Sequence, residues 1–223
     1  MSALAQPIEV SAQAARRSGD EQEIRDAVVR RLRGVWPEAR IVHELNVAGT
    51  GSNRIDVAAI APAAIIGVEI KSKRDTLKRL PDQWTAFNQC CHEVYVAAHE
   101  KHFEPQPHGW APRLKIDDRR RPSIENAAWL YRTDVDVRGW KVKAAFRCRP
   151  LNPAGMLDML WREELAFEAC RARCYGGARA TRHDMGRELA WYLTGREVVE
   201  AVCRQLRARE FVEADPAQPL GAS

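Results

Sequence analysis

Along residues 19–100 the apolar positions alternate between helical and strand spacing, and the alternation predicts the elements. In EQEIRDAVVRRLRGV (21–35), Ile24, Ala27, Val28, Leu32 and Val35 recur at helical intervals. Ser18 or Asp20 suits the N-cap, and Pro37 stops the helix. ARIVHEL, RIDVAAI and AIIGVEIKSK then read as three strands, joined by the Gly-rich AGTGSN and by a turn centred on Pro62. Strands in such close succession form an antiparallel meander. DTLKRLPDQWTAFNQCCHE reads as a helix bent or broken at Pro81, with Trp84, Phe87, Asn88 and Cys91 on one face. VYVAA is an uninterrupted apolar run, a buried strand reached by a crossover, so the sheet is mixed and the order is αβββαβ.

Beyond residue 100 the pattern is less regular. Residues 99–122 read as a Pro-rich loop ending in the basic run Arg119–Arg121. AAWLY (127–131), DVDV and WKVKAAFR, hinged on Gly139, read as further strands. Helices are predicted over MLDMLWREELAFEACRARC, HDMGRELAWYL and REVVEAVCRQLRARE. Leu157, Leu160, Trp161 and Leu165 form one apolar stripe, and Val198, Val199, Val202 and Leu206 another. The organisation that follows is a disordered arm (1–18), a core with added strands (19–150), a helical C-terminal subdomain (151–211) and a disordered tail (212–223). Trp84, Trp161 and Trp191 are expected in the core, and Trp110, in its loop, is the one free to stack on a base.

Chemistry enters between Glu44 and Gln89. Asp56 interrupts one apolar strand, and Glu69 and Lys71 interrupt the next, two residues apart and therefore on one face. Charges in apolar strands are unfavourable unless paired or holding a metal. Hydrolysis of a phosphodiester needs a divalent cation to neutralise developing charge and acidify water. Mg2+ (or Mn2+) takes hard oxygens and keeps several waters. Asp56 and Glu69 on neighbouring strands, with the Ile70 backbone carbonyl, are candidate metal ligands. Lys71 beside them would assist the attacking water or the scissile phosphate. Glu44, on the preceding paired strand, is a further candidate ligand and catalytic residue, and Gln83 could orient water or phosphate through its amide. The competing reading pairs Glu69 with Lys71 and Asp56 with Arg54 as structural salt bridges.

The whole composition bounds the reading without deciding it. The 223 residues carry 35 Lys+Arg against 30 Asp+Glu, a net +5, with pI near 9.0. That permits a nucleic-acid partner without requiring one. The six cysteines form no CxxC pair, and neither a secretory leader nor a membrane-length apolar run is evident. The expectation is a cytoplasmic protein with reduced thiols and no membrane partner. His99, His102 and His108 lack a cysteine pair in register and are read as surface residues rather than zinc ligands. Cys170 and Cys174, one helical turn apart, are read as packing.

The series Glu44, Asp56 and Glu69-Ile70-Lys71 on αβββαβ resembles the PD-(D/E)XK nuclease superfamily, with Ile55-Asp56 as a relaxed first half. The resemblance implies a restriction-endonuclease-like core with a helical C-terminal extension, and divalent-metal cleavage of DNA. EIKSKRDTLKRLPDQWTAF is similar to a bacterial branch of nuclease-like proteins, matching at Asp75, Arg79-Leu80, Gln83 and Phe87. The helix starting MLDMLWREEL resembles that branch's C-terminal part. Glu21 matches the helical glutamate of resolvase-type members and stands, with Asp75, as an accessory acid. Lys73, Arg74, Lys78 and Arg79 flank the site as a nucleic-acid-binding surface. The C-terminal helices are read as a packing module or a contact for a protein partner or second copy. The alternative function is a DNA-binding or assembly module of the same fold without catalysis.

Overall fold

A computed structural model describes residues 18–47, 53–105, 113–142, 151–174 and 179–220. The chain opens with α1 (Gly19–Val35), whose Ser18 side chain accepts from the Glu21 N–H. The meander follows as β1 (Arg40–Asn46), β2 (Arg54–Ala61) and β3 (Ala64–Lys71). Helix α2 (Leu80–Cys90) crosses to β4 (Glu93–His99). The predicted bend at Pro81 is instead a start: residues 77–79 form a turn, and Pro81 sits in the first turn of α2, where its missing N–H costs no helical hydrogen bond.

The segment expected as one loop from 99 to 122 contains a short pair, β5 (Phe103–Glu104) and β6 (Arg113–Leu114), and α3 (Arg121–Glu125). Strand β7 (Ala128–Tyr131) completes a five-stranded mixed sheet of order β1-β2-β3-β4-β7, antiparallel among the first three strands and parallel thereafter. The strands expected over 134–147 are not found in the part that is described. Residues 137–139 make a single 3-10 turn, capped by Asp136 on the Arg138 N–H (2.9 Å). Trp140 stacks on Trp129 at 4.9 Å and Trp129 on Tyr95 at 4.3 Å, which anchors the turn to the sheet.

The helix expected over 156–174 is two helices, α4 (Pro153–Leu157) and α5 (Arg162–Arg171). Between them Arg182 Nε bonds the Leu160 carbonyl (2.9 Å) and Glu164 accepts the Trp161 N–H (2.6 Å), so the break leaves these groups satisfied. Helices α6 (Arg182–Tyr192) and α7 (Gly195–Ala208) follow, each opened by a Thr capping box. Helix α1 packs on β2, β3 and β4, and α7 on β2 and β3, so one apolar core runs through both halves. Two tryptophans expected in the core are outside it: Trp161 lies over the Arg209 guanidinium at 4.4 Å and is half exposed, and Trp191 is 86% exposed. Trp84 is buried as expected.

The terminal stretch expected as an unstructured tail returns to β1. His43 donates to Glu213 O (3.0 Å), Ile41 N–H to Asp215 Oδ2 (2.9 Å), and Arg33 pairs with Asp215 (2.6 Å). An edge strand presents unpaired backbone groups, and residues 213–215 meet them. No helix of the described residues is long and apolar enough to cross a membrane. The 1–17 arm, most of the Gly-rich turn, His108, Trp110, residues 143–150 and 221–223 lie outside the described residues.

Candidate functional site

Antiparallel pairing of β2 with β3 brings Asp56 beside Glu69, strand alternation sets Lys71 on the Glu69 side, and the first turns of α2 deliver Gln83. Lys71 Nζ donates to Glu69 Oε1 at 2.7 Å and to Gln83 Oε1 at 3.0 Å. Gln83 Nε2 donates to the same Glu69 Oε1 at 2.6 Å. Glu69, Lys71 and Gln83 are 3%, 7% and 7% exposed, so this triangle sits in a low dielectric. Glu69 Oε2 is buried and has no hydrogen-bond partner. Asp56 accepts the Ile70 N–H on Oδ2 at 2.7 Å and keeps a partly exposed rim.

Two acids in one enclosure disturb each other. Burial, and then the Glu69 charge, push the Asp56 carboxyl well above the usual range, against the opposing pull of the Ile70 N–H and Arg25. Burial also raises Glu69, against the charge and hydrogen bond of Lys71 and the bond from Gln83. The two carboxyls are close enough for the Glu69 charge to bear on Asp56. With both ionised, the pair calls for a cation.

The donor set suits a hard divalent ion: two carboxylates, one with an uncommitted buried oxygen. No cluster of three or more His, Cys, Asp or Glu that could hold a metal occurs among the described residues. Asp56 and Glu69 are the two carboxylates that could hold such an ion, which would then need water in its other positions. Ile70 enters the observed geometry through its N–H rather than its carbonyl.

Glu44 stands opposite Asp56, between the register pairs His43↔Val57 and Leu45↔Ile55, yet its oxygens meet Arg25 (3.1 Å) and Arg54 (3.7 Å). Glu21 also binds Arg25 (2.9 Å). Both expected acids are thus near the site, and both are committed to arginine. Asp75 caps the turn after β3, accepting from Ser72 N (2.7 Å) and Ser72 Oγ (2.6 Å). His102, expected at the surface, is buried and bonds the Ser72 carbonyl at 2.8 Å, clamping that turn from the other side. Lys73, Arg74, Lys78 and Arg79 are all exposed on the loop leading into α2. Beside them a groove of about 500 Å³ is lined by Lys78, Lys115 and Arg120 together with Asp82, Asp117 and Asp118, a balance that marks it for neither sign of charge.

Arg25 is the residue that sequence reasoning passed over. Its spacing to Val28 and Leu32 places it on the buried stripe of α1, which was the signal available.

Residues 15–106, the segment holding Arg25, Glu44, Asp56, Glu69, Lys71 and Gln83, match one family model. It is that of bacteriophage P4 protein cII. The match covers the helix, the meander, α2 and β4, and stops before the C-terminal helices. No PD-(D/E)XK nuclease family matches, so the superfamily assignment drawn from Asp56 and Glu69-Ile70-Lys71 is corrected: the motif is present, and the similarity of the chain lies elsewhere. An acid, twelve residues and E-x-K is a short pattern that strands reach independently. No curated protein and no solved structure matches the chain.

Proposed function

We infer that the protein is a divalent-metal-dependent phosphodiesterase acting on nucleic acid, with DNA the first substrate to test. The observation that carries this reading is Glu69 Oε2, a buried carboxylate oxygen without a donor, next to the raised carboxyl of Asp56. A site kept only for stability has no physical reason to set an acid beside a buried carboxylate oxygen that has no hydrogen-bond partner. The reading needs no restriction-endonuclease-like ancestry, only the local geometry of β2, β3 and α2.

Asp56 and Glu69 would hold the cation. Once bound, it would supply neutralisation of charge on the phosphate and a water acidic enough to attack near neutral pH. Gln83 and Lys71 both commit Glu69 Oε1, which fixes the carboxylate plane and reserves Oε2. The Lys71 ammonium, already desolvated, provides preorganised positive charge for the pentacovalent phosphate. Lys73, Arg74, Lys78 and Arg79 supply an exposed cationic run along which a phosphate backbone can lie.

The test is a cleavage panel of linear duplex, circular, single-stranded and branched DNA and of RNA, in Mg2+ and in Mn2+, with wild type beside Lys71→Ala and Asp56→Ala. Metal-dependent cleavage of at least one substrate, lost in both folded variants, is the expected outcome. Cleavage that persists in pure Asp56→Ala protein sinks the reading. A second reading, an inert binding or assembly module, draws support from the closed Lys71–Glu69 bridge. Failure of calorimetry to detect Mn2+ binding at millimolar concentration would favour it.

A further inference from the structure

Arg25 is fully buried in the middle of α1, and its guanidinium joins three elements. Nη2 donates to Glu21 Oε1 (2.9 Å) and Glu44 Oε1 (3.1 Å). Nη1 donates to the backbone carbonyl of Asp56 and meets His43 Nδ1 at 3.2 Å. Nε is buried with no hydrogen-bond partner. A guanidinium enclosed with an orphaned donor is a poor device for stability, and an apolar side chain at this point of the stripe would pack without that cost.

What the contacts do instead is fix the acid. The Asp56 main chain is gripped from α1 by Arg25, while its carboxyl is gripped from β3 by the Ile70 N–H. Across the register from Asp56, Glu44 has φ 56°, a left-handed conformation that residues other than glycine seldom adopt and that persists only where surroundings impose it. Arg25 and Arg54 hold the two oxygens of that strained glutamate.

We propose that Arg25 is a positioning residue of the cation site: its fork ties the Asp56 carbonyl to the Glu44 carboxylate, keeping Asp56 aligned with Glu69 and Glu44 out of the coordination sphere. The proposal rests on the carboxylate pair being a cation site, and it goes beyond that by assigning Glu44 to the restraint of Asp56 rather than to the ion. Lysine in place of Arg25 keeps the charge and loses the two-pronged geometry, so it separates position from electrostatics.

The experiment is calorimetric titration of Mn2+ into wild type, Arg25→Lys and Glu21→Gln, with folding of each checked by circular dichroism. Arg25→Lys should weaken Mn2+ by about tenfold or more, the usual consequence of removing a residue that orients a ligand. Glu21→Gln, which loosens one anchor of the fork, should weaken it by about twofold. A merely structural Arg25 would lower the melting temperature and leave the affinity of the folded protein unchanged. Unchanged or tighter Mn2+ binding in folded Arg25→Lys overturns the proposal while the cation site stands. If Arg25→Lys does not fold, Glu21→Gln decides, and wild-type affinity there overturns it. Absence of binding to wild type overturns the cation site and, with it, the role given to Arg25.

Discussion

Two glutamates of this molecule are buried beside a cation and a glutamine, and they are arranged to opposite effect. In α5, Glu168 is 2% exposed; Arg204 binds both of its oxygens and Gln205 Nε2 binds Oε1, so the carboxylate is satisfied. In β3, Glu69 receives Lys71 and Gln83 on one oxygen, has nothing on the other, and has a second acid for a neighbour. A glutamate, a cation and a glutamine thus make a closed ion pair in one place and an incomplete one in the other. A planar guanidinium matches a carboxylate edge to edge, whereas an ammonium is a point charge that leaves the second oxygen available. Incompleteness, rather than burial or charge, is what sets Glu69 apart from Glu168.

Substituting each site breaks the comparison most sharply. Asp56→Asn should lower metal-dependent cleavage by about a thousandfold, the scale expected when a preorganised charge contact is lost, and Glu168→Gln should leave the rate of the folded protein within about twofold. Initial rates under single-turnover conditions read this directly. Equal losses in both variants would mean that the Asp56–Glu69 pair is no more tied to cleavage than the Glu168 ion pair.

Stability should move the other way. Glu168→Ala strips a buried pair of one partner and should destabilise by roughly 3 kcal/mol, toward the low end because Arg204 is partly exposed. Asp56→Asn removes the repulsion with Glu69 and should stabilise the metal-free protein by an amount on the order of 1 kcal/mol at pH 8. The pH dependence follows from the raised carboxyl of Asp56. Its folded pKa lies above the unfolded value of 3.8, so the folded state retains the proton longer. Its contribution to stability is fully present below pH 3.8 and is lost as pH rises through the folded value. Melting temperatures of metal-free wild type and Asp56→Asn should therefore diverge as pH rises from 3.8 through the folded value, with wild type falling behind. Parallel curves would show that Asp56 titrates normally.

This polarity was only partly legible in the sequence. The meander, the crossover and the placement of Asp56, Glu69 and Lys71 follow from strand period and short turns, which are local. Arg25 was passed over because a charge in an amphipathic helix is assigned to solvent by default, though its spacing put it among Val28 and Leu32. Trp161 and Trp191 were placed in the core on spacing alone; the break between α4 and α5 turned the spacing of Trp161 out of phase, and nothing in the structure accounts for the exposure of Trp191. Asp215 lies in a composition that resembles a tail, and only the unpaired edge of β1 gives it a place. A role fixed by a partner far along the chain leaves at most a faint local trace, as the spacing of Arg25 does.

The smallest expected effect concerns the exposed cations. Lys73 and Lys78 are exposed on the loop beside the acids, whereas Arg196 on α7 is 86% exposed at its side chain and paired with Glu200 at 2.8 Å. If nucleic acid tracks across the loop, each lysine releases about one counterion on binding. Lys73→Ala or Lys78→Ala should then reduce the slope of log affinity against log salt by about 1, weaken all sequences alike, and leave the single-turnover rate at saturation unchanged. Arg196→Ala should leave the slope as it is, because its charge already has a partner on its own helix and lies on a different element from the acid pair. A slope lowered by Arg196→Ala and untouched by both lysines would move the substrate path from the β3–α2 loop to the C-terminal helices, and would detach the acid pair from the surface that binds the substrate.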